Sequence, residues 1–396
     1  MKNVSVRRLV FLCVMTYFIS YITRTNYGAI VAEMVADTGY SKSLLSLALT
    51  GSFITYGAGQ VVSGLFGDRV QPRYLVAGGL VVTTLMNAII PFCASPFLMA
   101  AVWCVNGFAQ AFMWPPIIKL LATCLEKDDY DRNCLKVSWG GNAGTIAIYL
   151  FAPLLIVWAS WKSVFWAAAL CGVLGLLLWL KLCPVIPLVP REAKARTNRT
   201  AGIFSPLVVL IMVAIVLQGV LRDGVTTWMP SFIAETFRFD EEIAILTGVI
   251  LPIFSILSLW VACILYRKAF HNPLSCAGVI FGAGTLSALI LTAFYGKFVA
   301  LSVFCTALLA GCMHGANLIL VCLLPPLLAK NNNVSTVSGV LNACTYVGSA
   351  LSTFAFPLVA ENAGWSTTLQ LWLFVGLAGT LLCLIGIPAW KRAQTR

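Results

Sequence analysis

The chain has 396 residues, of which 60% are hydrophobic and only 10% charged, with a mean hydropathy of +0.92. Soluble domains carry about 25% charged residues, so this composition cannot build a water-exposed surface, and it is far too apolar for a disordered chain. The net charge of +12 does not indicate a nucleic-acid binder, because Lys and Arg gather between apolar runs and at the ends, where they report membrane topology.

A spanning helix needs about 20 apolar residues, and the apolar runs predict twelve of them. In chain order they cover roughly 8–34, 43–66, 73–93, 97–121, 135–158, 163–183, 205–232, 243–266, 273–294, 298–327, 334–358 and 366–390. This predicts an all-α membrane protein, with no room for a soluble catalytic domain. Lys2, Arg7 and Arg8 ahead of the first run imitate a signal peptide, but the run continues to Ile22 without a small-residue cleavage site. The fourteen cysteines sit singly inside apolar runs, without C-x-x-C or a His at metal spacing, and read as small hydrophobes; neither a disulfide framework nor a metal site is expected.

The one long polar stretch, Pro184 to Phe204, divides the spans six and six. It predicts an N-terminal bundle at 1–184, a linker at 185–204 and a C-terminal bundle at 205–396. Counting Lys and Arg on alternate sides puts nineteen of the 26 on the side of the termini and linker, and four (Lys42, Lys162, Arg238, Lys297) on the other. Both termini are therefore expected to face the cytoplasm, in a plasma-membrane protein contacting lipid and working as a monomer. The sequons at Asn3, Asn198 and Asn333 then fall on the inner side, where they carry no meaning.

A six-plus-six layout with a basic linker resembles the parallel repeats of the major facilitator transporters. So does the loop after the second span: Gly64-Leu-Phe-Gly67-Asp68-Arg69, then Arg73, is similar to that family's G-x-x-x-D-R-x-x-x-R signature. The resemblance implies two six-helix bundles related by pseudo-two-fold symmetry, with Asp68 and Arg69 locking helix ends at the cytoplasmic seam.

Three basic residues remain within the spans: Arg24, Lys119 and Arg222. A charge at mid-membrane costs about 2.5–3.5 kcal/mol on insertion scales, so each needs a purpose. Arg24 and Arg222 lie midway along the first and seventh spans, equivalent helices of the two halves, where two guanidiniums would face each other across a central cavity. They are either structural arginines, each paired within its half, or an anion site. For Arg24 the nearest acid further along its run, Glu33, is more than two turns away, and Asp223 should project about 100° from Arg222. A phosphate fits better, since the guanidinium fork matches its oxygens bidentately.

Polar side chains recur at helical spacing near these charges: Tyr17, Tyr21 and Arg24; Tyr56 and Gln60; Asn106 and Gln110; Ser138, Asn142, Thr145 and Tyr149; Gln218 and Arg222; His314 and Asn317; Ser338, Asn342, Tyr346 and Ser349. A single such pair is ordinarily interhelical glue, whereas stripes on seven spans outline a polar cavity.

Tyr21-x-x-Arg24-x-Asn26, Tyr56-Gly57, Gln110-x-x-x-Trp114-Pro115-Pro116 and Leu221-Arg222-x-Gly224-x-x-x-Trp228-x-Pro230 resemble the organophosphate:phosphate antiporters, over nearly the whole chain. The resemblance implies that Arg24 and Arg222 bind phosphate and that Tyr17, Tyr21, Tyr56 and Tyr346 line the site; the polar stripes add Gln60, Asn142, Gln218, His314, Asn317 and Asn342 as candidate lining. The sequence departs from the family at Gly141, where the glycerol-3-phosphate exchanger has a histidine, at Gln60 for a basic residue, at His314 for a tyrosine, and at Asp223, often tyrosine. Asp223 is a lock, a proton carrier or an acceptor for a substrate amine, and Lys119 a gating or snorkelling charge. The expectation is a carrier, not an enzyme, without cofactor or metal, exchanging a small organophosphate (sugar phosphate or glycerol phosphate-like) for inorganic phosphate. The alternatives are a proton symporter of an organic anion (carboxylate, phosphonate or zwitterionic phosphate ester) and a transporter-like sensor.

Overall fold

The computed structural model describes residues 6–185, 205–238, 250–329 and 333–394. Nearly all of the predicted linker, from 186 to 204, lies outside the described residues, as does the start of the predicted eighth span.

Eleven helices among the described residues are long and apolar enough to cross a membrane, and one of them is two helices in line. In chain order the helices are α1 (Val6–Ala29), α2 (Val31–Thr38), α3 (Lys42–Gly67), α4 (Pro72–Ile89), α5 (Pro96–Gln110), α6 (Trp114–Cys124), α7 (Lys127–Trp158) and α8 (Trp161–Leu182). They continue with α9 (Pro206–Phe237), α10 (Ile250–Lys268), α11 (Pro273–Ala293), α12 (Val299–Asn317), α13 (Pro325–Leu328) and α14 (Val334–Gln394). Within α14, Gly364 at φ 79° and ψ 167° interrupts the helix and separates the eleventh and twelfth predicted spans. A side chain would strain that backbone.

Local chemistry sets the helix ends. Ser41, Ser95, Ser205 and Asn272 accept hydrogen bonds from the first-turn amides of α3, α5, α9 and α11. Prolines open α4, α5, α9 and α11, where a missing N–H costs nothing. The fourth predicted span breaks into α5 and α6 at the Trp-Pro-Pro sequence for the same reason: Pro115 and Pro116 fit a first turn but not a helix interior. The tenth passes from α12 into a π-helical turn, Leu318–Leu323, whose side chains are all buried.

Contacts divide the chain into two compact units: Met1–Pro190 with Leu328–Ala343, and Arg191–Leu327 with Cys344–Arg396. In the first, α1 packs on α7 and α8, α3 on α5, and α4 on α5 and α8. Its apolar core stacks Tyr27, Trp103, Phe165 and Trp161 in edge-on and tilted pairs. In the second, α12 is the central element, touching α9, α10 and α11, and Phe232, Phe356, Trp365 and Trp372 form the matching aromatic cluster.

The same contacts recur in both units. Gly144 of α7 meets the Phe18 carbonyl of α1, and Gly348 of α14 meets the Val216 carbonyl of α9, each carbonyl six residues before the arginine (18 to 24, 216 to 222). The Trp161 indole donates to Asp37 Oδ2 and the Trp365 indole to Glu235 Oε2, both at 2.7 Å. Each acid stands thirteen residues beyond the arginine (24 to 37, 222 to 235). The arginines therefore hold equivalent registers of a repeat.

Candidate substrate-binding site

In the first unit Arg24 lies among aromatic rings. Its guanidinium carbon is 4.3 Å from the ring centre of Tyr21 and 4.8 Å from that of Tyr56. Tyr17 packs against Tyr21 at 5.1 Å and Trp114 at 4.8 Å. The negative ring faces stabilise the cation. The structure thus brings together four of the predicted residues and adds Trp114, which the sequence marked only as part of a motif. Gly141 accounts for one departure from the antiporters: a Cβ there would stand 2.8 Å from Tyr21 Cε2 and 3.0 Å from Tyr17 Cε1, so the two rings occupy the space a histidine would need. Asn142 follows it on α7, half-buried.

A buried polar network lies beneath. Gln110 donates to Thr23 Oγ1 and Thr83 Oγ1, each at 2.8 Å, and accepts from Ser20 Oγ at 2.9 Å. Asn106 and Asn87 donate to the Thr23 carbonyl, and Asn26 donates to Asn87. Asn106 and Gln110 are 0% and 1% exposed, which corrects their reading as a cavity-lining stripe: they join α1, α4 and α5. Tyr149, at 57% exposed, also departs from its stripe and faces outward from α7.

In the second unit Asp223 pairs with Arg222, which agrees with its reading as a lock and goes against the 100° spacing argument. Arg222 Nε donates to Asp223 Oδ1 at 2.6 Å and Nη2 donates to Oδ2 at 2.7 Å, a bidentate pair between sequence neighbours. The 100° between their Cα–Cβ directions does not keep them apart, because the long arginine curls back across the helix surface. Ser349 Oγ also donates to Asp223 Oδ2. The Tyr346 ring lies 5.8 Å from the Arg222 guanidinium carbon. One turn earlier Gln218, fully buried, donates to the Met313 carbonyl at 3.0 Å and accepts from Asn317 at 3.3 Å. His314, half-buried, follows Met313 on α12.

The remaining predicted residues cluster at the junction of α3 with the first turns of α14, inside the first unit. Asp68 Oδ1 accepts from the Ser335 amide at 3.0 Å, and Oδ2 accepts from the Thr336 amide at 2.9 Å and from the Thr336 hydroxyl. The carboxylate thereby caps α14. Burial raises the Asp68 pKa from its ordinary 3.8, against the opposing pull of the Thr336 and Ser335 donors and the Lys119 charge. Lys119, 2% exposed, donates to the Gly67 carbonyl at 2.8 Å, while Arg69 is exposed. Gln60 is fully buried against Gly339, and Ser338 and Asn342 are buried along the same stretch of α14.

Paired units of membrane-length helices, with an arginine at the same register of each, define a membrane carrier fold rather than an enzyme. The chain belongs to the Major Facilitator Superfamily, whose sequence profile matches residues 13–353. Among curated relatives, the probable hexose phosphate transport protein of Chlamydia muridarum is 29% identical over 163 residues, 41% of this chain and 36% of that protein. The membrane sensor protein UhpC of Escherichia coli is 24% identical over 292 residues, 68% of this chain and 66% of its own length. The matches thus span between about a third and two thirds of these relatives. The solved structure of the proton:xylose symporter XylE superposes with a TM-score of 0.78 at 14% identity, over 97% of this chain and 95% of the other, a likeness of fold. The relatives agree with the organophosphate:phosphate antiporter resemblance carried by the motifs.

Proposed function

We propose that this protein carries a small phosphorylated organic anion across the membrane in exchange for inorganic phosphate. The observation that carries the reading is the repeat: Arg24 and Arg222 occupy equivalent positions, each with a tyrosine ring near its guanidinium. A guanidinium offers phosphate a pair of parallel N–H donors, which suits it to a phosphate oxyanion. Exchange follows from the same recognition, because inorganic phosphate and a phosphate ester present the same oxygens. Transport proceeds by alternating access. The chlamydial relative, named for hexose phosphate transport, supports the substrate class. We assign the termini and linker to the cytoplasm from the Lys and Arg bias, and the monomer as the working unit.

The test is uptake of labelled phosphate into phosphate-loaded proteoliposomes. Arg24→Lys and Arg222→Lys should each lower exchange on the order of 10- to 100-fold, the equivalent of about 1.5–3 kcal/mol for a charged bidentate contact. Near-normal exchange in both variants, with intact folding, would sink the assignment. The similarity to UhpC favours a second reading, a sensor that binds the anion without moving it. Ligand-induced thermal stabilisation without counterflow would select that reading. A proton symporter would instead stop when the proton gradient is collapsed, whereas an exchanger continues.

A further inference from the structure

Arg222 and its neighbours form a cluster within the second unit. One edge of a guanidinium, Nε with Nη2, presents two parallel donors at the spacing of an oxyanion's oxygens. On Arg222 that edge already holds a carboxylate: Nε donates to Asp223 Oδ1 at 2.6 Å and Nη2 to Asp223 Oδ2 at 2.7 Å. Ser349 Oγ donates to Oδ2 as well. It reaches the acid because α14 packs on α9 at backbone distance, where a Cβ at Gly219 would fall on the Thr345 carbonyl, one turn before Ser349. The Asp223 side chain is 28% exposed and that of Arg222 11%, so the acid is the more accessible member of the pair. Among the described residues, the other titratable groups near this pair are His314 on α12 and Tyr346 on α14.

A phosphate that takes this edge arrives where a carboxylate stands. Two like unit charges about 4 Å apart cost on the order of a thousandfold in affinity at an effective dielectric of about 20, and a dianion squares that factor. Protonating a carboxylate of ordinary pKa near neutral pH costs only about a thousandfold. The proton also replaces the repulsion with a short O–H···O hydrogen bond. Resting on the phosphate reading above, we propose that Asp223 is a proton-binding residue of the anion site: the phosphate displaces the carboxylate from the Arg222 edge, and one proton from water is held between a carboxyl oxygen and a phosphate oxygen. Either the carboxylate becomes the acid or the phosphate dianion becomes the monoanion, and the complex gains one proton in both cases. The anion is thus carried together with a proton. In exchange each anion crosses with its own, so the cycle needs no proton gradient.

Calorimetric titration of the purified protein with glycerol 3-phosphate tests this. A phosphate monoester has its second pKa near about 6, so between about pH 7.5 and 9 the free ligand is a dianion. Titration in two buffers of different ionisation enthalpy should count about one proton taken up per anion bound, and affinity should fall about thirtyfold from roughly pH 7.5 to 9. In Asp223→Asn both effects should vanish, and the dianion should bind more tightly than to wild type at the upper end of that range. Ser349→Ala removes a donor that favours the ionised carboxylate, so its fall in affinity should move to higher pH; this variant decides the matter if the Asn variant fails to fold. Binding without proton uptake overturns the proposal, as does uptake that persists in folded Asp223→Asn or an unshifted profile in Ser349→Ala. Uptake kept in Asp223→Asn and lost in His314→Gln would place the proton on the histidine, which overturns it equally. No binding at any pH overturns the phosphate reading and this proposal with it, whereas binding without a proton overturns this proposal alone.

Discussion

Gly144 and Gly348 show how much of this protein depends on atoms that are missing. A Cβ at either position would fall on a backbone carbonyl oxygen of the facing helix, Phe18 or Val216, which cannot rotate away. Gly144→Ala and Gly348→Ala should each cost about 1–3 kcal/mol by forcing a helix pair apart, read as a lower melting temperature in detergent. Gly78→Ala is the control: nothing lies within 4 Å of its Cβ, so it should be neutral or stabilising by up to about 1 kcal/mol. Residues of this kind mark the reach of sequence reading. Arg24, Arg222, Lys119 and Asp223 stood out because charge is scarce in an apolar chain. The pairing of Arg222 with Asp223 stayed one alternative among three, because spacing rules compare Cα–Cβ directions and omit the length of arginine. Asn106 and Gln110 looked like cavity lining because periodicity gives a helix face without saying which neighbour covers it.

At the scale of elements, hydropathy finds a helix by its length and apolar content, which is why the predicted spans correspond to helices in the described residues. It is blind to breaks that cost little hydropathy. The interruption at Ile30, the three residues between α5 and α6, and the π turn after Asn317 all fall within runs that read as continuous. The indole–carboxylate links were equally hidden, since Trp161 to Asp37 and Trp365 to Glu235 join residues over a hundred positions apart. Asp37 on α2 and Glu235 near the end of α9 are thereby tied to the two tryptophans, Trp161 opening α8 and Trp365 following the break at Gly364. Trp365→Phe keeps the ring on Phe232 and removes one hydrogen bond to an exposed acid, so it should cost about 0.5–1.5 kcal/mol. A double-mutant cycle with Glu235→Gln measures that coupling in the melting temperature. The Trp161→Phe and Asp37→Asn cycle should return a similar value; a vanishing coupling in both would reduce the links to incidental contacts.

At the scale of the whole molecule, chain order and contact do not coincide, since Leu328–Ala343 packs with the first unit although it lies in the second half of the sequence. Asp68 is the residue that fastens it, accepting from the Ser335 and Thr336 amides, while Lys119 holds the adjoining Gly67 carbonyl. Because burial outweighs those donors and the Lys119 charge, the Asp68 pKa lies above its ordinary 3.8 in the folded state. A raised carboxylate binds its proton more tightly folded than unfolded. Its contribution to stability is therefore complete below 3.8 and is lost as pH rises through the folded value. The wild-type melting temperature should accordingly fall between acid and neutral pH by more than that of Asp68→Asn, which keeps one acceptor oxygen but has no proton to release. Other groups titrate in both proteins, so the difference between the two profiles isolates Asp68. Parallel profiles would mean that the cap and Lys119 already compensate the burial of Asp68.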